Sequence, residues 1–147
     1  MPEVPHFPND RHQLATTLEA LGAARLPGTL GIELVSLGDG TSAMRCVIED
    51  KHLASNGYLH AASLVALADT TAGYGCVANL PEGAYGFTTV ELKSNHLATL
   101  VEGVMASSGT MVHGGRSTQV WDVTVSNEAT GKPLALFRCT QFILYHQ

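Results

Sequence analysis

Charge is scarce in this sequence. Asp, Glu, Lys and Arg make up 14% of its 147 residues, against roughly a quarter in an ordinary soluble domain. So little charge leaves much of the surface to be covered in another way. Burial against copies of the same chain is the simplest, so a homo-oligomer is expected, as a dimer or a dimer of dimers. Basic residues are too few for a nucleic-acid partner: the formal charge is −5 and the pI is near 5.7, which argues against general affinity for polyanions. Cysteine is equally sparse. Cys46, Cys76 and Cys139 are odd in number, widely spaced and set in apolar contexts, with no CxxC and no Cys/His cluster. Neither a disulfide framework nor a zinc site is implied; buried, reduced thiols in a cytoplasmic protein are expected. The opening MPEVPHFPNDR has no basic segment leading into an apolar run, so no secretory signal is expected. There is no internal repeat and no low-complexity run.

What stands out is the stretch LASNGYLHAASLVALADTTAGYGCVANL, from Leu53 to Leu80. Between Lys51 and Glu82 it holds one carboxylate, Asp69, and no Lys or Arg. Leu59 to Ala78 is long enough for a five-turn helix and is apolar or small nearly all round, as a helix buried on every side would be. Its Gly, Ala and Thr content, with Asp69 near the middle, excludes a membrane span. A lone carboxylate in such a helix costs roughly 1–3 kcal/mol for each unmade hydrogen bond, and more if it is an unpaired charge. Either Asp69 is kept for chemistry, or it accepts hydrogen bonds from Thr70, Thr71 or a neighbouring strand.

Around this stretch the pattern alternates in kind. Residues 1–8 carry three prolines and read as an irregular tail, leaving 9–147 as one domain. Asn9 or Asp10 caps an amphipathic helix that runs to Ala24 on Leu14, Leu18 and Leu21, and Pro27-Gly28 ends it. Gly31 to Leu37 and Thr41 to Ile48 flank Gly38-Asp39-Gly40 as a hairpin. After the central helix come four strands, Phe87–Leu97, Glu102–Val112, Ser117–Ser126 and Leu134–Leu144. The last has apolar groups on both alternating sets, so both of its faces are expected to be covered, one by the helix and one by another subunit. The order implies an α+β domain: an antiparallel sheet wrapped around a long central helix, with an extra N-terminal helix.

Three segments carry a resemblance. They are Gly57-Tyr-Leu-His60-Ala61-Ala62 leading to Leu67-Ala68-Asp69-Thr70; Thr89-Val-Glu-Leu-Lys93; and His113-Gly-Gly-Arg116-Ser117-Thr118. Across about Gly28 to Leu144 the chain resembles the hotdog-fold acyl-CoA thioesterases of the phenylacetate-pathway (PaaI-like) type and the Arthrobacter-type 4-hydroxybenzoyl-CoA thioesterases. Their helix motif is G-x-x-H-G-G with an acidic residue nine after the His, and His60 to Asp69 keeps that spacing. This chain departs from the pattern in two places: Ala61-Ala62 stands for Gly-Gly, and Ala54 stands six before the His where Asn or Gln is usual, with Asn56 nearby as a substitute.

The resemblance implies hydrolysis of an acyl-CoA, with coenzyme A as part of the substrate and no separate cofactor or metal. It makes Asp69 the base or nucleophile and the Ala61 N–H the oxyanion donor. A helix start supplies unpaired N–H groups and a favourable dipole for that role. Ala61 and Asp69 are eight residues apart, about 12 Å along one helix at roughly 1.5 Å per residue, so two helices across a two-fold axis would have to bring them to one carbonyl. His60 either orients the site or packs at the helix start. Thr89 aligns with a hydroxyl that positions the attacking water, or is an ordinary strand Thr. Glu91 is expected on the same strand face as Thr89, or in an ion pair with Lys93 or Arg116. For the coenzyme A phosphates and pantetheine, the turn His113, Gly115, Arg116 and Ser117 is expected to act, with Lys93 and, less directly, Lys51 and Arg138. Tyr58, Tyr74, Tyr85 and Phe87 line an aryl pocket or belong to the core. A non-catalytic acyl-CoA-binding protein is the alternative, and a 3-hydroxyacyl thioester dehydratase a third reading.

Overall fold

The computed structural model describes residues 5–147. Residues 1–4 of the expected tail lie outside the described residues, and residues 5–8 form neither helix nor strand. Helix α1 is Arg11–Gly22, capped by Asp10, whose side chain accepts from the Gln13 N–H at 2.9 Å. It is shorter than expected. Pro27 does not end it but sits in the first turn of a separate short helix, α2 (Leu26–Thr29), where a missing N–H costs nothing. Strands β1 (Ile32–Gly38) and β2 (Thr41–Val47) form the expected hairpin. The two-residue turn needs Gly40 at φ 63°, in the left-handed region.

The long helix α3 is Ala61–Ala78, two residues shorter at its start than the apolar run, because His60 is its N-cap and Leu59 already pairs with Leu53. Strands β3 (Ala84–His96), β4 (Val104–Gly114), β5 (Thr118–Asn127) and β6 (Pro133–Tyr145) follow. The sheet is antiparallel in the order β1-β2-β4-β5-β6-β3, and α3 touches all six strands. This is the α+β architecture the resemblance implied. The first segment after the helix comes home to the far edge, so β3 has one neighbour only.

Small residues let α3 sit deep. A Cβ on Gly75 would stand 2.6 Å from the Trp121 ring and 2.8 Å from Ser42 Oγ; one on Gly109 would stand 2.7 Å from the same Ser42 Oγ. Ser42 Oγ donates to Thr71 O at 2.8 Å, and the Thr71 and Ser107 hydroxyls share a hydrogen bond of 2.5 Å. The helix is closed off at its end by Asn79. Its side chain donates to Gly38 O and Gly75 O and accepts from the Gly40 N–H, and its carbonyl accepts from buried Gln119.

One expectation needs correction. The helix is not buried all round: Ala61 and Ala62 are exposed, and Val65, Ala66, Asp69, Thr70 and Val77 are half-buried. On β6, Ala135, Phe137, Cys139 and Ile143 are buried toward α3, and Leu136 and Phe142, on the outer face expected to lie under another subunit, are each 45% exposed in the single chain.

Overpacking a tight helix–sheet contact costs about 1–3 kcal/mol. Gly75→Ala is therefore expected to lower the urea midpoint by that much stability, with the denaturant slope unchanged.

Candidate active site

The helix start is built by a relay of backbone and side-chain bonds. His52 is buried, 1% exposed. Its Nδ1 accepts from the Glu49 N–H at 2.8 Å, and its Nε2 lies 2.7 Å from Leu30 O, which fixes the tautomer with the proton on Nε2. The His52 carbonyl then accepts from the His60 N–H at 2.9 Å and from Ser63 Oγ at 2.8 Å. His60 in turn caps the helix: its Nδ1 accepts from the Ala62 N–H and its carbonyl from the Ser63 N–H, both at 2.9 Å. Among the described residues no acceptor is found for the Ala61 N–H, in a residue that is exposed. The first turn of a helix is also where the dipole favours negative charge.

Asp69 lies two turns further on. Its Oδ1 is buried with no hydrogen-bond partner, and among the described residues the other such side-chain atom is Ser94 Oγ. The expected donors turn elsewhere: Thr70 Oγ1 donates to Ala66 O, and Thr71 Oγ1 to Leu67 O. Burial, with no partner to offset it, holds the Asp69 carboxyl above the ordinary carboxylate range. The thiols offer no rival nucleophile. Burial pushes Cys76 and Cys139 up to about 12 and Cys46 to about 11, so none is a thiolate at neutral pH.

Thr89 and Glu91 do not share a face. Thr89 pairs with Gln141 and Glu91 with Thr140, two steps on β3 against one on β6, so a β-bulge at Val90 intervenes. Thr89 stays on the helix side, its hydroxyl donating to the Oε1 of fully buried Gln141 at 2.7 Å. Glu91 turns to the outer face, where it accepts from the Thr140 hydroxyl rather than pairing with Lys93 or Arg116. Gln141 and Gln119 were not foreseen as inward-facing; polar residues in strands read as solvent-facing, and no motif marks them.

The other candidates are dispersed. Asn56 is at an exposed loop tip, its Oδ1 accepting from the Tyr58 N–H at 3.2 Å, and Tyr58 is exposed. In the 113–117 turn the Gly115 N–H donates to Thr118 O, so that amide is not free for a phosphate. What the turn presents is the His113 ring, the Ser117 hydroxyl and the Arg116 guanidinium. The last rests over the Tyr145 ring at 5.5 Å and has no ion pair among the described residues. The turn lies beyond the end of α3, since the adjoining Gln119 reaches Asn79. Lys93 is outward on β3, opposite Arg138, so it does not converge with Arg116 in one chain. Arg138 is held by Asp122 and Lys51 by Glu49. Among the described residues no three His, Cys, Asp or Glu side chains are grouped to hold a metal, and no helix is long and apolar enough to cross a membrane.

Residues 56–134 match the model of the thioesterase superfamily. The 1,4-dihydroxy-2-naphthoyl-CoA hydrolase of Listeria monocytogenes is 34% identical over 115 residues, which cover 78% of this chain and 92% of that protein. Among solved structures, a point mutant of thioesterase PA1618 from Pseudomonas aeruginosa is similar with TM-score 0.82 at 24% identity, covering 97% of this chain and 96% of that one. The PaaI protein of the E. coli phenylacetic acid degradation operon is similar with TM-score 0.79 at 22% identity, covering 91% and 95%. At these identities the two structures speak to the fold.

Because burial raises the folded-state pKa of Asp69, the chain bears no penalty while the carboxyl is protonated, and it loses stability as pH climbs through the folded value. In the unassembled chain, Asp69→Asn, which never ionises, is expected to be more stable than the parent at pH 7 by roughly 1–3 kcal/mol. Urea unfolding should show the gap closing as pH falls to 4.

Proposed function

The chain belongs to the thioesterase superfamily, and from that premise we propose that it hydrolyses an acyl-CoA thioester to the free acid and coenzyme A. The observation that carries the reading is a pair of unpaired groups on one helix: an acceptor, Asp69 Oδ1, and a donor, the Ala61 N–H. Thioester hydrolysis calls for both. The Asp69 carboxylate takes a proton from water as it adds to the acyl carbonyl, or adds to the carbonyl itself to give an anhydride that water then hydrolyses to the free acid. The Ala61 N–H, backed by the helix dipole, receives the developing oxyanion. Collapse of the tetrahedral intermediate expels the thiolate of coenzyme A. Thr89, held by Gln141, orients the water, and His60 acts by fixing the helix start rather than by touching substrate.

Eight residues of helix separate the two groups, about 12 Å, so each site takes its carboxylate from one chain and its oxyanion donor from a second. If Asp69 stands level with the partner's Ala61, the two-fold passes near Val65. The unpaired edge of β3 supports such a dimer: its Val90 and Leu92 are 57% and 42% exposed, and Leu97 just after it is 57%. An antiparallel pairing of α3 also carries the Arg116 turn of one chain toward Asn56 of the partner subunit, where coenzyme A would meet His113, Arg116 and Ser117. Lys93, on the outer face, is then at most a rim cation. The name of the Listeria relative favours an aromatic acyl group.

Asp69→Asn is expected to lower kcat at least about 100-fold. Ala61→Pro removes the donor at a helix position that tolerates proline and is expected to cost about 100–1,000-fold. Co-expressed, the two variants form a mixed dimer with one intact site, so activity returns. An active monomer, or no recovery in the mixed dimer, overturns the shared site. Acyl-CoA binding without turnover by the parent chain means a binding protein only.

A further inference from the structure

Asp69, Gly73 and Val77 are spaced by four and form one stripe of α3. The stripe faces β3, which runs the opposite way. Gly73 meets Phe87: the three heavy atoms nearest to where a Gly73 Cβ would stand belong to that ring, the closest, Cζ, at 3.1 Å. The start of the helix meets the loop after β3, where the Leu59 N–H donates to Leu100 O at 3.1 Å. The Phe87 ring therefore lies across the seam one helical turn, about 5–6 Å, beyond Asp69. One turn further, Val77 lines a cavity of about 460 Å³. Leu14, Val77 and Leu80 line it together with Tyr85 and His146, whose rings stack at 4.5 Å, and residues 5–9 add to the lining. Aliphatic and aromatic groups interspersed with polar ones suit the distal part of a long or bicyclic aromatic acyl group.

Resting on the reading that Asp69 acts at the acyl carbonyl, we infer that Phe87, laid over Gly73, is the wall that ends the acyl pocket and sets the largest acyl group accepted, with the cavity at Val77 as the space behind it. A wall of this kind discriminates by size, not by chemistry. Shrinking it admits longer groups and leaves the reacting atoms where they were.

The test compares Phe87→Ala and Phe87→Leu with the parent on saturated acyl-CoAs from butyryl to dodecanoyl, and on benzoyl-CoA and 2-naphthoyl-CoA. The expected result is a rise of at least about 10-fold in the dodecanoyl-to-butyryl ratio of kcat/KM for Phe87→Ala, a smaller rise for Phe87→Leu, and a parallel rise for naphthoyl over benzoyl. Adding Val77→Trp, which fills the cavity, should cancel the gain. Thermal melts establish that each variant is folded; if Phe87→Ala does not fold, Phe87→Leu decides. An unchanged ratio in a folded variant, or a gain that Val77→Trp leaves intact, overturns the inference. If Asp69→Asn retains full turnover, the proposed reaction fails whatever Phe87 does. If Asp69→Asn is inactive and the ratio does not move, only the role of Phe87 fails.

Discussion

The depth at which α3 sits against the sheet governs the rest of the molecule. Gly75 on the helix and Gly109 on β4 both face Ser42 Oγ at distances where no Cβ fits, and Ser42 ties the layers together by donating to the backbone of Thr71. At that separation the helix face turned to β2, β4 and β5 has room only for small or interlocking side chains, and Ala68, Ala72 and Cys76 fill it with almost no exposure. The opposite consequence appears at the β3 edge, where the sheet ends. There Val65, Asp69 and Val77 are only half-buried, while Gly73 between them lies under the Phe87 ring. A helix locked on one face and open along one seam is what a site needs: a rigid element carrying groups whose surroundings are incomplete.

Incompleteness of two opposite kinds is built into that helix. Asp69 Oδ1 is an acceptor without a donor, and the Ala61 N–H is a donor without an acceptor. A buried orphan such as Asp69 Oδ1 costs free energy that a marginally stable domain seldom retains without cause, whereas the Ala61 N–H, in an exposed residue, is open to a ligand. A flexible segment would let these two find each other. A helix cannot bend back on itself, so its rigidity preserves the mismatch until something outside the chain resolves it. The relay from His52 through His60 makes the donor side specific: it occupies the Ala62 and Ser63 amides and leaves Ala61 as the one presented.

Much of this was legible in the residues themselves. The strands and the long helix followed from periodicity, and Asp69 was conspicuous as the one charge in an apolar run. The misreadings share a physical cause: they concern positions decided by partners distant in sequence. A bulge at Val90 breaks no hydrophobic pattern, yet it sends Glu91 to the face opposite Thr89. No pattern marks Gln119, Gln141 and Asn79 as inward-facing, yet Gln119 donates to the Asn79 carbonyl at the end of α3, the Asn79 side chain donates to Gly75 O, and Gln141 accepts from Thr89. Lys93 and Arg116 looked like one cluster in a linear reading. Strand order separates them, because β3 crosses to the far edge and faces Lys93 outward. The Ala61 role came from resemblance; only the bonding around His60 shows why that amide is the unpaired one.

The proposed dimer also bears on whether Asp69 can act at all. Burial favours its neutral, protonated form, which is useless as a base or a nucleophile. The positive end of a second helix, with its free amide, favours the ionised form. Assembly and ionisation are then linked: bringing the partner's helix start to Asp69 lowers the cost of the charge, and the charge in turn strengthens the association. Burial in a lone chain works against the ionised carboxylate, and the contact that completes the oxyanion hole would favour it. This coupling accounts for retaining a carboxylate in so apolar a seam, since the penalty it imposes on the single chain is offset where the second chain docks.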